Sequence, residues 1–212
     1  MLYKGSMKTS LKASLLALGF LLVPAAFADT PEAAPAAALD DGLLASMKAG
    51  SAGKNFQARY DALAPVVRQT YNMPEVTMNS VGFLWSTLPA GQQQELTQLF
   101  EQFTISSYVA EFNAYSGQSF KVLPDEKALG AKKIVETQLI PGDGSEPVEL
   151  DYVMENGANG WQITDVLLNG TISQVAVHAS DFASLVSSGD ASPLIKALKA
   201  KIAALQNLPA TQ

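Results

Sequence analysis

Asp165 is the side chain in this sequence best placed to do chemistry. It sits in "WQITDVLLNGTIS", residues 161–173, which starts as an alternating strand. Trp161, Ile163 and Asp165 share one parity, Gln162 and Thr164 the other. A strand carboxylate that becomes buried has a raised pKa and can act as a general base. With Tyr152 or Tyr108 as proton donor, it would suit a small isomerase or dehydratase. The plainer role is structural, accepting hydrogen bonds near the bend at Gly170. The remaining repertoire is thin. There is no cysteine, and His178 is the only histidine. A cysteine nucleophile and a His-rich metal site are therefore excluded. No G-x-S-x-G elbow, Walker-type loop or dinucleotide fingerprint occurs, and no cofactor is implied. Gly142-Asp143-Gly144 reads as a hairpin turn. His178 lies just before Ser180, a candidate helix cap, and is expected at a helix start or on the surface.

Apolar residues carry more information. After Asp165 come Val166, Leu167 and Leu168, apolar on both parities. Val148, Leu150, Tyr152 and Met154 share one face of another strand, with Asp151 expected to face water. An antiparallel sheet usually keeps one face wet. Apolar stretches on both faces must be covered by helices, a partner or an apolar ligand. Phe100, Phe103, Tyr108, Phe112 and Tyr115 recur at helical spacing, as core or as the lining of a cavity.

The elements that must position these residues fall in a simple order. Lys4, Lys8 and Lys12 precede an apolar run from Leu15 to Val23 and an Ala26-Phe27-Ala28 site. Residues 1–28 are therefore expected to be a secretory signal peptide. Residues 29–38 read as a mobile Pro/Ala linker and 39–208 as a single domain. Helical periods run to Gly117, with Pro65 as a possible kink, Ser86 or Thr87 as cap of the longest helix and Pro89 in its first turn. From 119 the period changes to short strands separated by turn residues. Two helices close the chain, capped by Ser180 and Ser192. The expected fold is α+β, with N-terminal and C-terminal helices cradling a curved antiparallel meander of about four strands and an apolar cavity between. Loss of the leader removes three lysines and no acid, leaving 11 basic against 20 acidic side chains. That balance argues against nucleic acid and against lasting adhesion to an anionic membrane.

Two stretches resemble a known family. "WQITDVLLNGTISQVAVHASDFASLVSSG" is similar to the signature of the MlaC (toluene-tolerance) family, through Trp161, Asp165-Val166, Gly170-Thr171-Ile172-Ser173, Phe182 and Gly189. "LWSTLPAGQQQELTQLFEQFTISSYVAEFNAYSGQ" resembles it through Trp85, Pro89, Phe100, Tyr108 and Tyr115-Ser116-Gly117. "DVLLNGTIS" and "SDF" look closest to the hopanoid-associated HpnM branch. His178-Ala179 departs from the pattern, where members often have a basic residue. The resemblance implies a non-catalytic periplasmic carrier of phospholipid or hopanoid. Such carriers move lipid between an outer-membrane lipoprotein complex and an inner-membrane ABC transporter, and a monomer without membrane insertion is expected. The lipid-lining candidates are Val148, Leu150 and Tyr152 from one strand, and Trp161, Ile163, Val166, Leu168 and Thr171 from the next. Phe100, Phe103, Tyr108 and Phe112 come from the helices. Both parities of the 161–168 strand are included, because period two does not say which faces inward. Without a basic cage, tails are expected to be read more than head groups. An adaptor that covers its apolar face with another protein is the other non-enzymatic reading.

Overall fold

The structure is a computed structural model and describes residues 30–208. The expected leader, residues 1–28, lies outside the described residues. Helix α1 (Ala33–Ser51) begins inside the stretch expected to be linker. Alanine is the best helix former, and Pro35 sits in the first turn, where its missing N–H is harmless. Ala33 and Ala36 are buried against the sheet, and Glu32 is buried and ion-paired with Lys133. Packing thus makes 33–38 part of the domain.

Helix α2 (Phe56–Thr70) is capped by Asn55, whose side chain accepts from Ala58 N at 2.9 Å, and runs on through Pro65. Asn72 caps α3 (Met73–Val81), and its own N–H donates to Ile163 O at 2.9 Å. The α2–α3 junction is thereby tied to the sheet, with Tyr71 bridged to Ile163. A 3-10 turn, Gly82–Thr87, leads into α4 (Ala90–Glu111). Pro89 occupies the cap position of α4, not Ser86 or Thr87. The Thr87 hydroxyl instead donates to Leu84 O at 2.7 Å within the turn.

Strands β1 (Ser119–Leu129), β2 (Lys132–Ile140), β3 (Val148–Gly157), β4 (Gly160–Leu168) and the two-residue β5 (Ile172–Ser173) pair in sequence order, all antiparallel. The meander therefore has one short strand more than expected. Its register answers the question of the two-sided strand. Val153 pairs with Asp165 and Met154 with Ile163, so Thr164 is an extra residue on β4. A bulge of this kind shifts parity by one. Trp161 and Ile163 before it, and Val166 and Leu168 after it, share the face of Met154, Tyr152 and Leu150. Both sequence parities thus end up facing the helices. Asp151 is buried, contrary to expectation. It pairs with Leu167 in the sheet interior and accepts from Thr137 N at 3.3 Å.

Helix α5 (Gln174–Phe182) starts six residues before the expected Ser180 cap. Ser173 is the cap, accepting from Ala176 N at 2.9 Å. Val175, His178 and Phe182 form its inward stripe, a period hidden by the histidine. After a 3-10 turn at Ala183–Leu185 comes α6 (Ser192–Gln206). Ala191, not Ser192, is the cap residue of α6, and Asp190 before it accepts from Ser192 N at 2.9 Å.

The helices serve two cores. One joins α1, α2, α3 and the later part of α4 to the sheet through Leu39, Leu63, Val67, Ile105, Val109, Met154 and Ile163. The other joins the earlier part of α4 to α6 through Leu96, Phe100, Phe103, Leu194 and Leu198. At the junction of α1 and α4, a Cβ on Gly50 would lie 1.9 Å from Asn113 O. Gly50→Ala is expected to destabilise the fold by about 2 kcal/mol or more, seen as a lower urea midpoint.

Candidate functional site

Between the two cores lies a hollow of about 400 Å³. Its floor is the helix-facing side of the sheet, Leu150 and Tyr152 from β3 with Val166 and Leu168 from β4, and Asp165 of β4 also lines it. Leu43, Tyr71 and Val76 close one side. Phe103, Thr104, Ser107, Tyr108, Glu111 and Phe112 of α4 form a wall. Gln174, Val175, Val177, His178 and Asp181 of α5, with Lys201 and Leu205 of α6, complete it. Glu111, Val177, Asp181 and Lys201 are exposed and mark the mouth. A second depression, among Gln92, Glu95, Lys196 and Lys199, is polar and open to solvent and shelters nothing apolar.

The hollow brings together seven of the sequence-predicted residues: Phe103, Tyr108, Phe112, Leu150, Tyr152, Val166 and Leu168. The other five lie elsewhere. Phe100 is fully buried in the α4–α6 core, edge-on to Phe182 with ring centroids 5.8 Å apart. Ile163 is core beneath the α2–α3 junction. Trp161 sits at the hairpin end under Lys133 Nζ, 5.6 Å from its ring. Val148 is 38% exposed at the start of β3, and Thr171 is in an exposed turn. Sequence reasoning missed Tyr71, Val76, Val175, Val177, His178 and Leu205. Leu43 was on a recognised helical stripe and was not connected to the site.

The polar atoms deep in the hollow neutralise one another. The Tyr71 and Tyr108 hydroxyls hydrogen-bond to each other. Tyr152 Oη donates to Asp40 Oδ1 at 2.6 Å. Burial holds all three phenols above their ordinary range, so none ionises near neutral pH. Asp40, on α1 behind Tyr152, is pushed up to about 7, mainly by burial. Its Oδ2 has no partner among the described residues. The other carboxylate of the inner lining is Asp165 of β4.

Asp165 is committed to local structure. Its Oδ1 accepts from Val166 N at 2.8 Å and Val175 N at 3.0 Å, and its Oδ2 accepts from the Ser173 hydroxyl. The carboxylate pins the start of α5 to the sheet. With these donors on it, it is poorly placed to take a proton from a substrate. His178 is at mid-helix, not at a helix start. Its ring stacks on Phe182 (5.5 Å) and meets Phe103 (5.7 Å), so it bridges α5 to α4. Among the described residues no cluster of His, Cys, Asp or Glu could hold a metal ion, and no helix is long and apolar enough to cross a membrane.

The domain is α+β, with helices packed on an antiparallel meander around a largely apolar hollow. The chain belongs to the MlaC family: the family model described as MlaC protein matches residues 37–200. It is also similar in structure to a phospholipid-binding protein from Ralstonia solanacearum, solved in complex with a phospholipid. That likeness has a TM-score of 0.69 at 24% identity and covers 81% of this chain and 97% of the other. It supports the fold described above. No curated protein matches the chain.

Two outcomes follow from Asp40 and Asp165. With a folded pKa near 7 against an ordinary 3.8, Asp40 keeps a proton in the native state that the unfolded chain has lost. Stability therefore falls as pH rises from about 4 to 7, then levels off. Asp40→Asn should flatten that slope, measured as urea midpoints at pH 5 and pH 8. Asp165→Ala frees Val175 N and the Ser173 hydroxyl and should cost on the order of 2 kcal/mol. The faster amide exchange should be concentrated in α5.

Proposed function

We propose that this protein is a periplasmic lipid carrier that shelters acyl chains in the hollow and moves the lipid between membranes. The reading rests chiefly on one observation: a hollow with a mostly apolar floor, whose inner carboxylate, Asp165, is spent on backbone and hydroxyl donors. Burying a methylene gains about 0.8 kcal/mol, so a diacyl lipid of roughly 30 methylenes loses on the order of 25 kcal/mol when drawn bare into water. A carrier has to replace most of that with its own lining. The phospholipid bound by the Ralstonia protein of like fold supports this cargo, and membership of the MlaC family supports the carrier role.

By family resemblance, the donors and acceptors would be an outer-membrane lipoprotein complex and an inner-membrane ABC transporter. Export by a cleaved leader would deliver the chain between them. The "DVLLNGTIS" and "SDF" stretches favour the hopanoid-associated branch, so a hopanoid is an alternative cargo in the same hollow. At about 30 Å³ per methylene, comparable to a water molecule's share of the liquid, the hollow matches roughly one acyl chain. A second chain requires α5 to move away from α4 and α6.

The test is native mass spectrometry of the purified protein with extraction of what it carries. A one-to-one lipid adduct is expected, and a stable lipid-free oligomer would favour the adaptor reading instead. Val166→Trp should fill the floor. It is expected to cut lipid load at least tenfold while the circular dichroism spectrum is retained.

A further inference from the structure

The mouth of the hollow has an uneven charge. Arg68, Lys127, Lys132, Lys133 and Lys199 each sit against a carboxylate. Lys201, which lines the mouth from α6, has no carboxylate partner among the described residues. Its ammonium lies 5.1 Å from the centroid of the Phe103 ring, a wall of the hollow. His178 reaches the same ring from α5. Its Nδ1 is buried and has no hydrogen-bond partner among the described residues, which is costly for a buried polar atom. Burial holds His178 below its ordinary range, with the Lys201 charge adding to the effect. The imidazole is therefore neutral at pH 7 and free to donate one hydrogen bond. An unpaired ammonium and an imidazole that lines the hollow thus meet at one aromatic ring.

Acids complete the rim. Asp181 lies three residues after His178, is exposed and lines the mouth, and Glu111 is exposed at the end of α4. With Asp165, which lines the same hollow, one cation and three carboxylates make a poor receptacle for a second negative charge. We propose that Lys201 and His178 hold the phosphate of a zwitterionic phospholipid head group, with Asp181 facing its ammonium, so that zwitterionic lipids are taken in preference to net-anionic ones. This rests on the carrier reading above and adds the head-group class to it. A phosphodiester brings one negative charge, which Lys201 matches. The amine of the head group then meets the carboxylates, whereas a head group without an amine leaves them unopposed. The phosphate is gripped by a single cation, so preference between head groups is modest and the tails remain the main source of affinity.

The test uses the mature chain and vesicles of equimolar phosphatidylethanolamine and phosphatidylglycerol, read by native mass spectrometry. Wild type should load the zwitterionic lipid on the order of tenfold over the anionic one, about 1.4 kcal/mol. Lys201→Met keeps the alkyl stem over Phe103 while removing the charge. It should lower phospholipid load several-fold and leave diacylglycerol load unchanged. Asp181→Asn should shrink the zwitterionic preference. An equal loss of diacylglycerol in Lys201→Met would mean that Lys201 acts only by packing and would overturn the assignment. So would indifference of wild type to head group, while leaving the carrier reading intact. If wild type loads no lipid at all, both fall. Displacement of the bound lipid by millimolar inorganic phosphate would mark a free-anion site and also count against the proposal.

Discussion

Helix α4 carries apolar side chains on two sides, and one neighbour cannot satisfy both. At 3.6 residues per turn, Leu96, Phe100 and Phe103 fall roughly opposite Ile105 and Val109. The first group packs on α6, the second on the sheet. Thr104, Tyr108 and Glu111 lie on the arc between these stripes and face the hollow, with Ser107 in line with the first stripe one turn on. The void is therefore set by a division of labour along one helix. Were α4 apolar on one side only, α6 and the sheet would close on each other. Asp165 supports the arrangement from the far side by fixing the start of α5 at the sheet edge. That helix packs chiefly on α3 and β4 and covers the hollow more as a flap than as a wall.

The polar groups within the hollow follow from the same constraint. Hydroxyls in a low-dielectric space are costly unless paired. Tyr71 pairs with Tyr108, and Tyr152 with Asp40. Each pair joins elements distant in sequence: the α2–α3 junction to α4, and α1 to the sheet. The tyrosines present apolar rings to the space and spend their polar ends on holding the walls in place.

The class of the fold and the order of its elements were legible because period 3.6 gives way to period 2 at residue 119, with Gly and Pro marking most turns. The residues of β3 that reach the hollow, Leu150 and Tyr152, followed from simple alternation. What alternation could not reveal was the bulge at Thr164. A run reading as apolar on both faces turns out to be apolar on one, with its parity switched midway. The start of α5 was hidden for a different reason. Val175, His178 and Phe182 make a regular inward stripe only if histidine is counted as apolar, and here its ring stacks on phenylalanines. Phe100 was misplaced because helical spacing identifies a stripe without saying which of two cores receives it. Tyr71 lies between two helices, where no periodicity marks it as a lining residue.

An apolar space of this size is expensive to leave empty. At about 24 cal/mol per Å³ of cavity, 400 Å³ corresponds to as much as 10 kcal/mol if dry. Domains of this length have a net stability of only about 5–15 kcal/mol. Water at the open mouth reduces the penalty. A sequence under no demand to keep the space would fill it by exchanging Val166 or Ser107 for something larger. An occupant removes the cost outright and stabilises the fold by mass action. The occupant must also leave, so the lining cannot greatly exceed a bilayer in its affinity for the same chains. A floor of mixed aliphatic and tyrosyl surface, its carboxylate Asp165 tied to the start of α5, with a single unpaired ammonium at the rim, is suited to that balance: enough apolar contact to replace the bilayer interior, and too little polar grip to trap what it holds.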